Sequence, residues 1–139
     1  MASPDPNSPG QHSGRPELLQ RLQAGESDFI DIGTGVGGSI GFVRKSFGAG
    51  PGLGIDIDPD KLAKARAAGH EVIEGDLADL ELPAGCVSFV SAMDVLEHLP
   101  DLDATRRVLG AAAKVARDAI FIRHPSFEDI ESLAALGSS

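Results

Sequence analysis

The chain has 139 residues, 42% of them apolar, and a formal net charge of −9 at pH 7. That length holds one domain with a real core and leaves little room for two. No apolar run approaches the roughly 18 residues that cross a bilayer, "MASPDPNSPG" lacks a charged-then-apolar leader, and the acidic balance disfavours binding to nucleic-acid phosphates. A cytoplasmic protein without membrane or nucleic-acid partners is therefore expected.

Residues 1–15 are rich in Pro, Ser and Gly with almost nothing to bury, so a disordered tail is expected there and one domain over 16–139. Pro16 suits the first turn of a short helix that ends at Gly25. "FIDI" (29–32) reads as a compact strand, and Ser39 to Phe47 as a helix with Ile40 and Val43 on one face. A second strand follows at about 53–57. Asp58, Pro59 and Asp60 then start a helix that stops at Gly69: a capping carboxylate, a proline in the first turn and an acid facing the dipole. "HEVIEGD" gives a third strand and "CVSFVSAMD" a fourth, led by Cys86, the single cysteine, which excludes an internal disulfide and a cysteine-built metal site. A helix over 103–116 precedes a fifth strand in "RDAIFIRHP", and a last helix is expected over 127–136. Strands alternating with helices mean parallel pairing through right-handed crossovers, an α/β sheet whose ligand lies at the carboxyl ends of its strands.

The segment "DFIDIGTGVGGS" (28–39) stands at such an end. Gly33, Gly35 and Gly38 meet the dinucleotide spacing G-x-G-x-x-G, and Asp56 lies about twenty residues on, at the next strand end. Glycine permits positive φ and close backbone approach, while a carboxylate can accept from both hydroxyls of a ribose. Asp31 also makes the segment D-x-G-x-G-x-G, with Gly37 in the third place. A carboxylate there would repel a pyrophosphate by about 1 kcal/mol even in water, but would welcome a cationic group. The loop thus suits a positively charged nucleoside better than NAD, leaving an NAD-dependent oxidoreductase as the weaker alternative.

Four segments in order, "DIGTGVGG", "GIDIDPDKLAKA", "EGDLADLELP" and "SAMDVLEHLPD", resemble the class I, Rossmann-like S-adenosylmethionine (SAM) dependent methyltransferases. The resemblance implies a three-layer, mostly parallel open sheet of strand order 3-2-1-4-5. It implies that Asp31, Gly33 and Gly35 surround the methionine portion of the cofactor and that Asp56 holds the ribose hydroxyls. It places Ile57 on the adenine face, Asp76 at the exocyclic amine and the Leu77 N–H at a ring nitrogen. Met93 would offer its carbonyl to the cofactor amino group or line the adenine pocket.

Methyl transfer is an in-line displacement, helped by a base when the acceptor must lose a proton. "DVLEHL" supplies Asp94, Glu97 and His98, of which His98 is the candidate catalytic base because imidazole titrates near pH ~6.5; bracing the loop is its competing role. Glu97 and His98 could begin a metal site, but further ligands stand at no recognised spacing, so no metal is expected. His124 is a second candidate for substrate contact. The resemblance also implies two more strands, an antiparallel hairpin beside the fifth, which the sequence lacks. A form truncated after the fifth strand is expected, whose open edge invites a partner chain or a second copy. The function expected is methyl transfer to an O or N atom of a small molecule; a noncatalytic SAM-binding or interaction module is the alternative.

Overall fold

Six strands form a single sheet in the order β3-β2-β1-β4-β5-β6. The computed structural model describes residues 14–93, 99–123 and 130–132, the last three through their backbone alone. In chain order the elements are α1 (Arg15–Gln23), β1 (Phe29–Ile32), α2 (Gly38–Phe47), β2 (Gly52–Asp56), α3 (Pro59–Ala67), β3 (Val72–Glu74), β4 (Val87–Met93), α4 (Leu102–Val115), β5 (Ala116–Arg123) and β6 (Ile130–Ser132). A single 3₁₀ turn, Leu77–Asp79, follows β3. The first five strands are parallel and keep the expected order 3-2-1-4-5.

Alternation along the strands divides the core into two layers. Ile30, Ile32, Leu53, Ile55, Val90 and Ile122 pack on one face with Leu18 and Leu22 of α1 and Val108, Ala112 and Val115 of α4. Phe29, Phe89 and Met93 pack on the other with Ile40 and Val43 of α2 and Leu62 and Ala65 of α3. On this second face Phe29 and Phe89 stack at 5.0 Å between ring centroids. The face also explains why β2 carries glycines. A Cβ on Gly52 would lie 2.1 Å from the Phe29 ring, and one on Gly54 2.6 Å from the Thr34 side chain. Side chains from β1 and the loop after it fill the space that β2 leaves.

The start of α3 is as expected, and α4 is capped in the same way by Asp101, a residue that the sequence reading did not name. Asp58 accepts from the backbone N–H groups of Asp60 and Lys61 ahead of α3, and Asp101 accepts from Ala104 N at 2.8 Å ahead of α4. The end of the chain differs from expectation. In place of a helix over 127–136, residues 130–132 pair antiparallel with β5, Arg123 opposite Ile130 and Phe121 opposite Ser132. An unpaired strand edge offers a ladder of N–H and C=O groups, and its pairing outweighs a local helical preference. The sheet therefore has one antiparallel strand beside β5 that the sequence reading lacked; the rest of the expected helix lies outside the described residues.

Candidate functional site

Parallel strands bring the carboxyl ends of β1, β2 and β4 to one edge, and the loop after β1 crosses it. Gly33 N and Thr34 N both donate to Ile55 O, at 2.7 and 3.2 Å, and Gly37 N donates to Thr34 O at 2.9 Å. This path needs left-handed backbone at Gly33 (φ +66°), Gly35 (φ +57°) and Gly37 (φ +100°). Gly38 is instead an ordinary first residue of α2 with open space at its Cβ position. The backbone therefore enforces the D-x-G-x-G-x-G spacing, not G-x-G-x-x-G.

Asp56, at the end of β2, ties the loop down. Its Oδ2 accepts from Gly35 N at 2.7 Å and its Oδ1 from Asp58 N at 2.9 Å. A carboxylate offers about four acceptor positions, so those two bonds leave room for a pair of hydroxyls. Ile57, the next residue, is 74% exposed, an apolar side chain that the core does not use. At the end of β3, Asp76 Oδ1 accepts from Ala78 N at 2.9 Å and caps the 3₁₀ turn. The Leu77 side chain is buried, so only its backbone can face a ligand. The Met93 side chain is likewise buried in the second core layer, which leaves the carbonyl at the strand end and not a pocket-lining side chain.

Asp31 is fully buried beneath the loop. Its Oδ1 accepts from Ser91 Oγ of β4 at 2.7 Å, and its Oδ2 accepts from Ser39 Oγ in the first turn of α2. Burial pushes its carboxyl above the usual range, the hydroxyls of Ser39, Ser91 and Thr34 oppose that, and the charge of Asp56 adds to it. Thr34 Oγ1 is itself buried and lacks a well-formed hydrogen bond among the described residues, although it lies near enough to Asp31 to favour its charge.

The structure thus brings Asp31, Gly33, Gly35 and Asp56 into one cluster, with Ile57 beside it. Asp76, Leu77 and Met93 stand at the neighbouring strand ends. His98, Asp94, Glu97 and His124 lie outside the described residues. Sequence reasoning missed Ser39, Ser91 and Thr34. Ser39 had a signal, a polar residue in the first turn of a helix eight positions after a buried acid; Ser91, sixty positions away, had none. Two open concavities of about 940 and 340 Å³ border the 3₁₀ turn and α4, sharing Ala78, Leu80, Leu82 and Lys114 as walls. Neither is lined by Asp56 or Ile57, so these two hollows are separate from the glycine loop.

The sheet order and the loop at the end of β1 define a Rossmann-like α/β domain. The chain belongs to the methyltransferase domain family, whose model matches residues 29–119. No curated protein sequence matches it. Solved structures with the same fold include a chain in the complex between the Haloferax volcanii Trm112 methyltransferase activator and a methyltransferase. It is 21% identical, with a TM-score of 0.59, over 81% of this chain and 57% of that one. SAM-bound CalS10, an amino pentose methyltransferase of Micromonospora echinaspora, is 20% identical with a TM-score of 0.59, over 82% and 50% of the two chains. Phosphoethanolamine N-methyltransferase 1 of Haemonchus contortus, solved with phosphoethanolamine and S-adenosylhomocysteine (SAH), is 20% identical with a TM-score of 0.60, over 88% and 29%. The chain spans about half the length of the first solved structures it matches. Among the described residues no helix is long and apolar enough to cross a membrane.

Proposed function

We propose that this chain carries the cofactor site of a methyltransferase acting on an oxygen or nitrogen atom of a small molecule. The cofactor is SAM, whose sulfonium supplies an activated methyl group. The observation that carries this reading is the Gly35–Asp56 bond with Ile57 exposed beside it. It sets a carboxylate with spare acceptor positions next to an uncovered apolar surface, as a ribose and its attached base require.

Asp56 would hold the ribose hydroxyls while keeping the loop in place, and Ile57 would cover the adenine face. Asp76, through its second oxygen, and Leu77, through its N–H, would meet the edge of the base. Gly33 and Gly35 let the backbone approach the amino-acid portion. Asp31 favours a cation there through its buried charge and through Ser39, which it orients. The Met93 carbonyl would accept from the cofactor ammonium. His98, five positions after the end of β4 in the sequence, is the group we assign as base. A small-molecule acceptor is supported by the net charge of −9, which opposes a nucleic acid, and by relatives that act on an amino pentose and on phosphoethanolamine.

Calorimetry with SAM, SAH and NADH tests the reading. SAM and SAH are expected to bind at micromolar or lower Kd, with Asp56→Ala abolishing both. NADH binding without SAM binding would overturn it. SAM binding without methyl transfer to a panel of small amines, phenols and alcohols would make the chain a binding module.

A further inference from the structure

We infer that Lys61 recognises the carboxylate of the cofactor's amino-acid portion. The inference rests on the proposed SAM site and adds to it a determinant of what that site accepts. The groups gathered at the strand ends are mostly acids or glycines. Asp31 and Asp56 suit an ammonium and two hydroxyls, and Asp76 suits an amine. None of them suits the one anionic group of SAM, which needs a cation or N–H groups pointed at it.

Lys61 is the cation that the fold sets against the loop. It lies in the first turn of α3, directly after the Asp58 cap, and its Cδ is 4.0 Å from the position of a Cβ on Gly35. The far end of the lysine's apolar stem therefore comes beside the glycine whose N–H is fixed by Asp56, and the ammonium stands two bonds further on. Lys61 is exposed, and among the described residues no ion pair engages it. Other cations of α2, α3 and β5 stand away from the loop. Arg44, Lys45, Lys64 and Arg66 lie in the last turns of α2 and α3, and the Arg123 guanidinium sits 4.9 Å over the Phe42 ring. A cation in the first turn of a helix also opposes the helix dipole. Asp58 and Asp60 soften that opposition, and an incoming carboxylate would relieve it further.

The inference separates ligands by their amino-acid portion. SAM and SAH carry the carboxylate; 5′-methylthioadenosine has the same adenosine and sulfur without it. Lys61→Met keeps most of the stem and removes the charge. Calorimetry on the full chain should show SAM and SAH binding about five- to tenfold weaker in Lys61→Met, methylthioadenosine unchanged, and Lys61→Arg close to wild type. An equal loss for methylthioadenosine would show that the stem, not the charge, matters and would overturn the inference. So would an unchanged SAH affinity, or a larger loss for NADPH than for SAH, which would make Lys61 a phosphate contact. Wild-type protein that binds neither SAM nor SAH would instead sink the proposed site, a result that the wild-type titrations give by themselves.

Discussion

Asp31 lies beneath the proposed cofactor loop, and its burial there costs the fold. Its carboxyl is buried, and the two serine hydroxyls offset only part of the lost hydration, so its pKa rises. The folded chain therefore holds that proton more tightly than the unfolded chain. Stability from this group is present below the ordinary carboxylate value and is lost as the pH climbs through the raised one. Asn at this position keeps a carbonyl for one serine and turns an NH₂ toward the other, without a charge. Asp31→Asn is accordingly expected to melt higher than wild type at pH 7.5, with the gap closing on acidification. The same variant should bind SAM more weakly, since the negative field below the loop is gone. Melting curves across pH, paired with SAM titrations, check both halves; a variant less stable at neutral pH would contradict the desolvation argument.

Among the elements, α1 depends most on its surroundings. Nine residues make a marginal helix in water, and the hydrophobic stripe is Leu18 and Leu22 with Leu19 half-buried beside them. Leu18 and Leu22 are buried in the first core layer, while Arg21 pairs with Glu71 and Arg15 donates to the Glu74 carbonyl. The helix thus clamps β3, a three-residue edge strand whose end carries Asp76. Leu22→Ala should cost about 2–5 kcal/mol as a buried large-to-small change, measured by urea unfolding. Because β3 is held through α1, hydrogen exchange should rise at Val72–Glu74 more than in β1. The elements that the sequence disclosed were those with local signals: the Asp58 cap, the glycines after β1 and the alternation of apolar strands. Residues 130–132 were misread because strand pairing with β5 is a long-range event that no local signal announces. The site divides in the same way. Asp31, Gly35 and Asp56 were legible from their spacing along the chain, whereas the Asp31–Ser91 bond joins strands 60 positions apart, and Lys61 meets Gly35 only because α3 starts beside the loop.

At the scale of the molecule, charge is the dominant quantity. The chain carries −9 overall, and its proposed site gathers Asp31, Asp56 and Asp76 at one edge of the sheet. SAM carries one more positive charge than SAH, so the field of the protein should draw in the methyl donor and release the spent product more readily. Raising salt from 50 to 500 mM should weaken SAM binding several-fold and SAH binding by a smaller factor. Calorimetry at the two ionic strengths measures this directly, and parallel losses for both ligands would refute it. The middle of the sheet adds a constraint of another kind. Since the Phe29 ring occupies the space that Gly52 leaves and Thr34 the space beside Gly54, each pair shares one volume. Neither member can enlarge alone: a larger residue at 52 requires a smaller one at 29 and a larger one at 54 a smaller one at 34, so β1, β2 and the glycine loop form one sterically matched set.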